Sequence, residues 1–235
     1  MTAAPAFPPL LHGEAVPRDA FRAACLRAAE GCDAGLVTHA ITHDRLAAAL
    51  VLAPEVPLAD AVAMLPLCGV GFQNALGALA PPEVAVHLEW DGTVRLNGAR
   101  CGGLRMASDA ADTDAMPGWL VVGLDLALWP EDDAAPGLAP DRTSLFAEGC
   151  GEVDPVHLLE AWARHSLLWI DRWETDGPRA LHAEWAGLAC GMGETAERDG
   201  RRGTFTGVDE RFGMLLRDDG GRTHLLPLTT LVERP

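Results

Sequence analysis

Residues 87–106, HLEWDGTVRLNGARCGGLRM, combine residue types and spacings that suit the binding of a small anion. Asp91-Gly92 and Asn97-Gly98 are typical of tight turns, which predicts a β-hairpin. The guanidinium of Arg100 can hold a carboxylate or a phosphate through two parallel hydrogen bonds. The neighbouring pair Gly102-Gly103 lets a ligand approach the backbone closely, although the same glycines can instead shape a bulge. The stretch therefore predicts a binding hairpin, with a purely structural hairpin as an equal alternative.

The charge of the chain limits its partners. The net charge is −16, and all 18 basic residues are arginine. A chain this acidic is repelled by phosphate backbones and by anionic lipids, so we expect neither nucleic acid nor a membrane as a partner. The absence of lysine excludes a Schiff base, a lysine general base and a P-loop lysine.

The length of 235 residues and the hydrophobic content of 49% allow one sizeable domain with a small appendage. Neither a long uncharged apolar run nor a secretory signal is apparent, so we expect a cytoplasmic protein. The six cysteines form no C-x-x-C pair, which predicts buried free thiols and neither structural zinc nor disulfides.

The hydrophobic patterns predict two domains, an α+β domain over 1–190 and a small antiparallel barrel over 191–235. The first 16 residues, with four prolines, are expected to form an extended arm. Proline-rich residues 129–141 are expected to form a surface loop. Helices are predicted over 17–30, 58–79 with a break at Pro66, 154–176 and 178–189, and strands over 35–41, 46–53, 83–90, 93–97, 99–107 and 118–128. After Gly191, four short alternating segments are expected to build the barrel, the last of them TLVER.

Several segments resemble the biotin protein ligases and the wider biotin/lipoate ligase family. EWDGT (89–93) and RCGGL (100–104) are similar to that family's Lys-Trp-Pro-Asn-Asp and Lys-x-x-Gly-Ile/Leu segments, at matching spacing. WLVVGLDLAL (119–128) is similar to its Val-Ile-Gly-x-Gly-x-Asn strand. The resemblance continues through DRTSL (141–145), the helix 158–173 and the tail 203–218, and it covers roughly residues 35–235.

The resemblance implies a fold related to the cores of class II aminoacyl-tRNA synthetases, with a mixed, mainly antiparallel sheet flanked by helices and a C-terminal SH3-like β-barrel. It implies an acyl-adenylate made from ATP, with Mg²⁺, and biotin, lipoate or a related acid, followed by transfer to a lysine of a carrier protein. The ligand-binding residues implied for this chain are Glu89, Trp90, Thr93, Arg100, Gly102, Gly103 and Gly123, with Arg100 as the candidate catalytic residue.

The chain departs from the family pattern at the residues that would perform the chemistry. The family's long loop over the ligand is reduced to THDR (42–45). Glu89 and Arg100 replace lysines, Thr93 replaces the aspartate, and Ala127 replaces the asparagine. Adenylate formation needs cations and a loop that excludes water, so these changes argue against conventional ligation.

Three functions follow from the resemblance and its departures. The favoured one is a divergent, ligase-like protein, a pseudoenzyme that keeps a small-acid or nucleotide pocket. The second is an active ligase in which Arg100 replaces the lysine. The third is a non-catalytic module that binds a carrier domain or a second copy of the chain as a homodimer.

Other polar groups are weaker candidates. His39, His43, Asp44 and His87 have ligand types suited to zinc, but surface or core histidines are the favoured interpretation, so no metal site is predicted. The tryptophans of the helix 154–176 lie at helical spacing, which is typical of a core.

Overall fold

A computed structural model describes residues 4–130 and 141–234. Its main sheet has eight strands in the order β1-β2-β3-β7-β6-β5-β4, with β12 paired to β6. The strands of this sheet are β1 (His12–Ala15), β2 (Leu36–Ile41), β3 (Arg45–Leu52), β4 (Val86–Leu88), β5 (Thr93–Leu96), β6 (Ala99–Ser108), β7 (Leu120–Ala127) and β12 (Val232–Glu233). All neighbours pair antiparallel except β1 with β2 and β12 with β6.

Helices cover the two faces of this sheet unequally. The helices are α1 (Ala20–Ala29), α2 (Leu58–Ala61), α3 (Met64–Leu79), α4 (Pro155–Asp176) and α5 (Arg179–Leu188). One face packs against α3 and α4 in the larger core, which buries Phe72 and Trp162 completely. The other face carries only α1, whose Phe21 packs in a smaller cluster with Ala49 and Val121. Part of this second face therefore remains uncovered beyond the N-terminal end of α1.

Local sequence signals explain where the helices begin and end. Asp19 caps α1 by accepting a hydrogen bond from the backbone N–H of Arg22 at 3.0 Å. Asp154 caps α4 by accepting from Val156 and His157, and α4 ends at Gly177, whose φ is 76°. These caps lie within two residues of the predicted boundaries.

A second sheet forms the C-terminal module. It contains β8 (Thr195–Arg198), β9 (Arg201–Val208), β10 (Met214–Arg217) and β11 (Thr223–Leu226) in the antiparallel order β11-β10-β9-β8, as expected for a small SH3-like barrel. A 3-10 helix (Leu228–Leu231) follows it, and β12 then returns to the main sheet.

Three details differ from the sequence-based expectations. The prediction that TLVER forms a barrel strand is wrong, because Val232 and Glu233 pair with Met106 and Ala107 in the main sheet. The predicted break at Pro66 is also wrong. The chain leaves the helix between α2 and α3, and Pro66 lies in the first turn of α3, where its missing N–H removes no hydrogen bond.

The third departure concerns a segment predicted to be irregular. Residues 12–15 of the predicted arm pair with β2 as an edge strand. Most of the predicted loop 129–141 lies outside the described residues.

The segment 58–79 is long and apolar enough to cross a membrane by length and composition alone. However, 72% of its most apolar window is buried inside the protein. It is interrupted between α2 and α3, and α3 packs in the larger core.

Candidate functional site

The two residues at the start of the predicted site hold the hairpin in place. The carboxylate of Glu89 pairs with the guanidinium of Arg95, and both side chains are largely shielded from solvent. Trp90 is buried, and its indole N–H donates to the backbone carbonyl of Phe212 at 2.7 Å. Trp90 therefore connects the main sheet to the C-terminal module.

Thr93 and Gly103 lie in one row of residues that crosses the sheet. Thr93 pairs with Gly103, Gly103 with Asp125, Asp125 with Ala47, and Ala47 with Ala40. Directly paired residues face the same side of a sheet, so all five face the side that carries α1. We call these five residues the open row, because α1 packs on the neighbouring row, where Phe21 contacts Gly123, and not on this one.

The predicted glycines allow close packing within the protein. A Cβ on Gly102 would lie 2.0 Å from the carbonyl oxygen of Asp125 on the next strand. A Cβ on Gly123 would lie 2.5 Å from the ring of Phe21 in α1. These two glycines permit strand–strand and helix–sheet contact, so their presence does not by itself indicate a ligand.

A cavity of about 340 Å³ lies on the uncovered part of this face, beside the N-terminal end of α1. Small and apolar residues line it, including Phe21, Ala40, Ala47 and Gly123. Its charged lining consists of Arg18, Asp19, Arg45, Arg105 and Asp125. The cavity thus combines an apolar floor with a rim of three arginines and two aspartates, which suits a small anion with an apolar part.

The three arginines of the cavity differ in their partners. Arg45 holds Asp125 through Nε, at 2.7 Å from Oδ1, and also through Nη2. These hydrogen bonds raise the pKa of Arg45 above its ordinary value. Arg105 lies over the ring of Phe21, with Cζ 3.9 Å from the ring centroid, and its Nε is 3.3 Å from Glu233 on β12. Arg18 is exposed and forms no ion pair within 4–130 and 141–234.

Arg100 lies apart from this cavity. Its backbone N–H donates to the carbonyl of Asp141, and its carbonyl accepts from Thr143, each at 2.8 Å. Its side chain is exposed and does not line the cavity. The structure therefore brings Thr93, Gly103 and Gly123 to one face of the sheet, but it does not bring Arg100 into the same pocket.

Comparison with known proteins gives the evolutionary context of this site. The model of the biotin/lipoate A/B protein ligase family matches residues 7–187, which is more than half of the chain. The chain belongs to this family. Residues 192–234 match a domain of unknown function, DUF4444. The family membership predicted from the hairpin and the following motifs is thus confirmed.

Individual relatives support the same assignment. A biotin--[acetyl-CoA-carboxylase] ligase of Paracoccus denitrificans is 27% identical over 184 residues, which is 75% of each chain. A biotin protein ligase-like protein of unknown function from Silicibacter sp. TM1040 is 61% identical, with a TM-score of 0.93 over 98% of this chain and 100% of that one.

The fold class is also confirmed by a more distant structure. The biotin protein ligase of Aquifex aeolicus has a TM-score of 0.72 at 14% identity, over 92% of this chain and 95% of that one. At this identity the likeness concerns the fold alone. It includes the mainly antiparallel sheet with flanking helices.

The charged residues of the cavity were missed by the sequence reasoning. Arg45 and Arg105 lie on strands, where alternation places them on the same face as Ala47 and Gly103. The signal for Asp125 was present in the strand 119–128, because Asp125 stands where the family pattern Gly-x-Gly has its second glycine. Arg18 precedes the helix cap and left no comparable signal.

A second cleft, of about 630 Å³, separates the β4–β5 hairpin from the C-terminal module. Glu89, His87 and Cys190 line one side, and Glu194 and Glu197 line the other. Trp90 also lines this cleft, so of the predicted site residues Glu89 and Trp90 line the cleft and Gly123 lines the sheet-face cavity. Thr93, Arg100, Gly102 and Gly103 line neither opening.

The candidate metal-binding histidines are dispersed. His39 is buried in β2, and His43 stacks on Trp129 with the ring centroids 5.0 Å apart. Within the part of the chain that the structure describes, no group of three or more His, Cys, Asp or Glu side chains is arranged to hold a metal ion.

Proposed function

We propose that this protein keeps the fold of its family and binds a small anion, a carboxylic acid or a nucleotide, in the sheet-face cavity, without conventional ligation. The observation that carries the proposal is the convergence of Arg18, Arg45 and Arg105 on one cavity in a chain with net charge −16. Guanidinium groups are well suited to carboxylates and phosphates because their donors match the geometry of these anions.

The same surroundings argue against ligation. Only three residues separate β2 from β3, so the turn at Thr42–Asp44 is too short to cover a ligand. An uncovered acyl-adenylate is exposed to hydrolysis by water. Thr93 offers a hydroxyl where the family pattern has a carboxylate, and a hydroxyl is a weaker ligand for Mg²⁺. The residues present therefore do not fit Mg²⁺ and ATP in the manner of the family, and we derive no adenylation step.

A thermal-shift series tests the proposal. Melting temperature is measured with ATP, biotin, lipoate, butyrate and octanoate, and a ligand at 100 times its Kd should stabilise the protein by about 2.7 kcal/mol. The R18Q variant should lose the shift, whereas R217Q, on the exposed end of β10, should keep it. No shift with any of these ligands would contradict an anion pocket, and pyrophosphate exchange dependent on biotin, lipoate or octanoate would contradict the loss of ligation.

The second candidate is an active biotin or lipoate ligase that uses Arg100. It is favoured by the family membership and by the exposed Arg100 side chain, which forms no ion pair among the described residues. Under this function, R100A abolishes acyl-adenylate formation and leaves the melting temperature unchanged, while R100K retains activity. Unchanged adenylate formation in R100A would exclude this role for Arg100.

The third candidate is a module that binds a carrier protein or a second copy of the chain. The cleft of about 630 Å³ beside the C-terminal module is the surface that favours it. Size-exclusion chromatography with light scattering tests the homodimer, and a pull-down with a purified biotin carrier domain tests the carrier. A monomer that captures no carrier would exclude this function.

A further inference from the structure

The Arg45–Asp125 ion pair interrupts the open row. On the β2 side of Asp125, Ala40 and Ala47 line the cavity. On the other side, Gly103 and Thr93 continue the same row on the same face, yet they do not line the cavity. Asp125 is thus the one charged residue in a row that otherwise consists of two alanines, a glycine and a threonine.

The geometry of the Arg45–Asp125 ion pair keeps the side chain of Asp125 in place. Arg45 precedes Ala47 by two residues on β3, so its side chain rises from the same face as Asp125. The Nε atom of Arg45 lies 2.7 and 2.9 Å from the two carboxylate oxygens, and Nη2 provides a further contact. A two-pronged pair fixes the orientation of both partners better than a single contact does.

We propose that Asp125, held by Arg45, determines the specificity of the cavity by limiting the length of the ligand. The inference rests on the proposed anion-binding function and names its ligand class, a short-chain carboxylic acid. The carboxylate of the acid meets the guanidinium of Arg18, and its alkyl chain lies on Ala40 and Ala47. A longer chain would have to extend across Asp125 towards Gly103 and Thr93.

Such an extension is unfavourable for a physical reason. An apolar chain laid over the ion pair meets the bulk of the Asp125 side chain, and it removes water from polar groups without offering them hydrogen bonds in return. Without the Asp125 side chain, the row would present alanine and glycine from Ala40 to Gly103. Each additional buried CH₂ group would then strengthen binding about fourfold, which corresponds to about 0.8 kcal/mol.

A ligand-length series in matched variants tests this inference. Binding of acetate, butyrate, hexanoate and octanoate is measured by ligand-observed NMR titration with the wild type, D125A and D125N. D125A removes the bulk and the charge, whereas D125N keeps the bulk and removes the charge. Circular dichroism verifies the fold, and D125G replaces D125A if the alanine variant does not fold.

The expected result is a change in preference, and not only in affinity. The wild type should bind butyrate more tightly than octanoate. D125A should increase the ratio of octanoate to butyrate affinity at least tenfold, and D125N should change it less than threefold.

Two other outcomes count against the inference in different ways. An unchanged ratio in D125A, or an equal increase in D125N, would overturn the role of Asp125 while leaving the anion cavity intact. Absence of binding by any acid to any variant would overturn the proposed function and the inference together.

Discussion

The indole N–H of Trp90 donates to the carbonyl of Phe212, 122 residues later in the chain, at 2.7 Å. Phe212 is itself buried, has a φ of 59° and stacks on His182 with the ring centroids 3.9 Å apart. Asp91, next to Trp90, pairs with Arg198 of the C-terminal module at 2.9 Å. The hairpin that resembles a ligase site therefore also anchors the C-terminal module.

We expect W90F to destabilise this anchor. Phenylalanine fills part of the space but leaves the Phe212 carbonyl without its donor, which costs about 1–3 kcal/mol. The measurement is urea unfolding, combined with hydrogen exchange of the C-terminal module. The control is W119F, since the indole nitrogen of Trp119 donates to no described residue. Equal destabilisation by both variants would show that the hydrogen bond to Phe212 contributes little.

G102A should destabilise the main sheet. The added Cβ would meet the carbonyl oxygen of Asp125 at 2.0 Å, so β6 and β7 would have to separate. We expect a loss of about 1–3 kcal/mol in the free energy of unfolding, or more, from overpacking. In G187A, on an exposed turn of α5 where a Cβ meets nothing within 4 Å, we expect a gain of about 0.5–1 kcal/mol. A neutral G102A would mean that β6 and β7 can move apart at little cost.

The stability of the protein should fall as the pH falls through the range of histidine titration. Burial of His39 lowers its pKa below its ordinary value, so the unfolded chain binds a proton at a higher pH than the folded chain does. Acid therefore favours unfolding below about pH 6.5. Urea unfolding at pH 5.0 and 7.5 should show a smaller pH effect in H39Q than in the wild type or in H12Q, an exposed control. An unchanged pH effect in H39Q would assign it to other groups.

The cysteines should react in two classes. Burial raises the pKa of Cys25 to about 11 and the pKa values of Cys68 and Cys101 to about 12, so few thiolates form at pH 8. Cys150 is also buried, whereas Cys32 and Cys190 are half-buried. Labelling with a thiol reagent in the native state should therefore modify two cysteines rapidly, and all six after unfolding. Rapid modification of Cys101 would indicate that β6 opens readily.

Local sequence signals determine some elements of this protein, and contacts between distant segments determine others. The cap at Asp154 and the apolar spacing of α4 are local signals, and they placed that helix correctly. The same holds for the turn between β2 and β3. The strand pairing of TLVER was not determined by local sequence, because Val232 and Glu233 could pair equally well within the barrel or with β6. The sequence predicted that Trp90 contacts a ligand. The position of Phe212, which is distant in the chain, determines what the indole of Trp90 contacts.

The sequence by itself determined the family, most of the elements in their order and the absence of lysine chemistry, because periodicity, turn residues and motif spacing are local features of the chain. Only the tertiary structure determined which charged side chains come together in the cavity. Arg45, Arg105 and Asp125 come from three strands and Arg18 from the segment before α1, and they share a cavity because of the antiparallel register of β3, β7 and β6 and the position of α1. Register is fixed by pairing between distant segments, which no short stretch of sequence specifies.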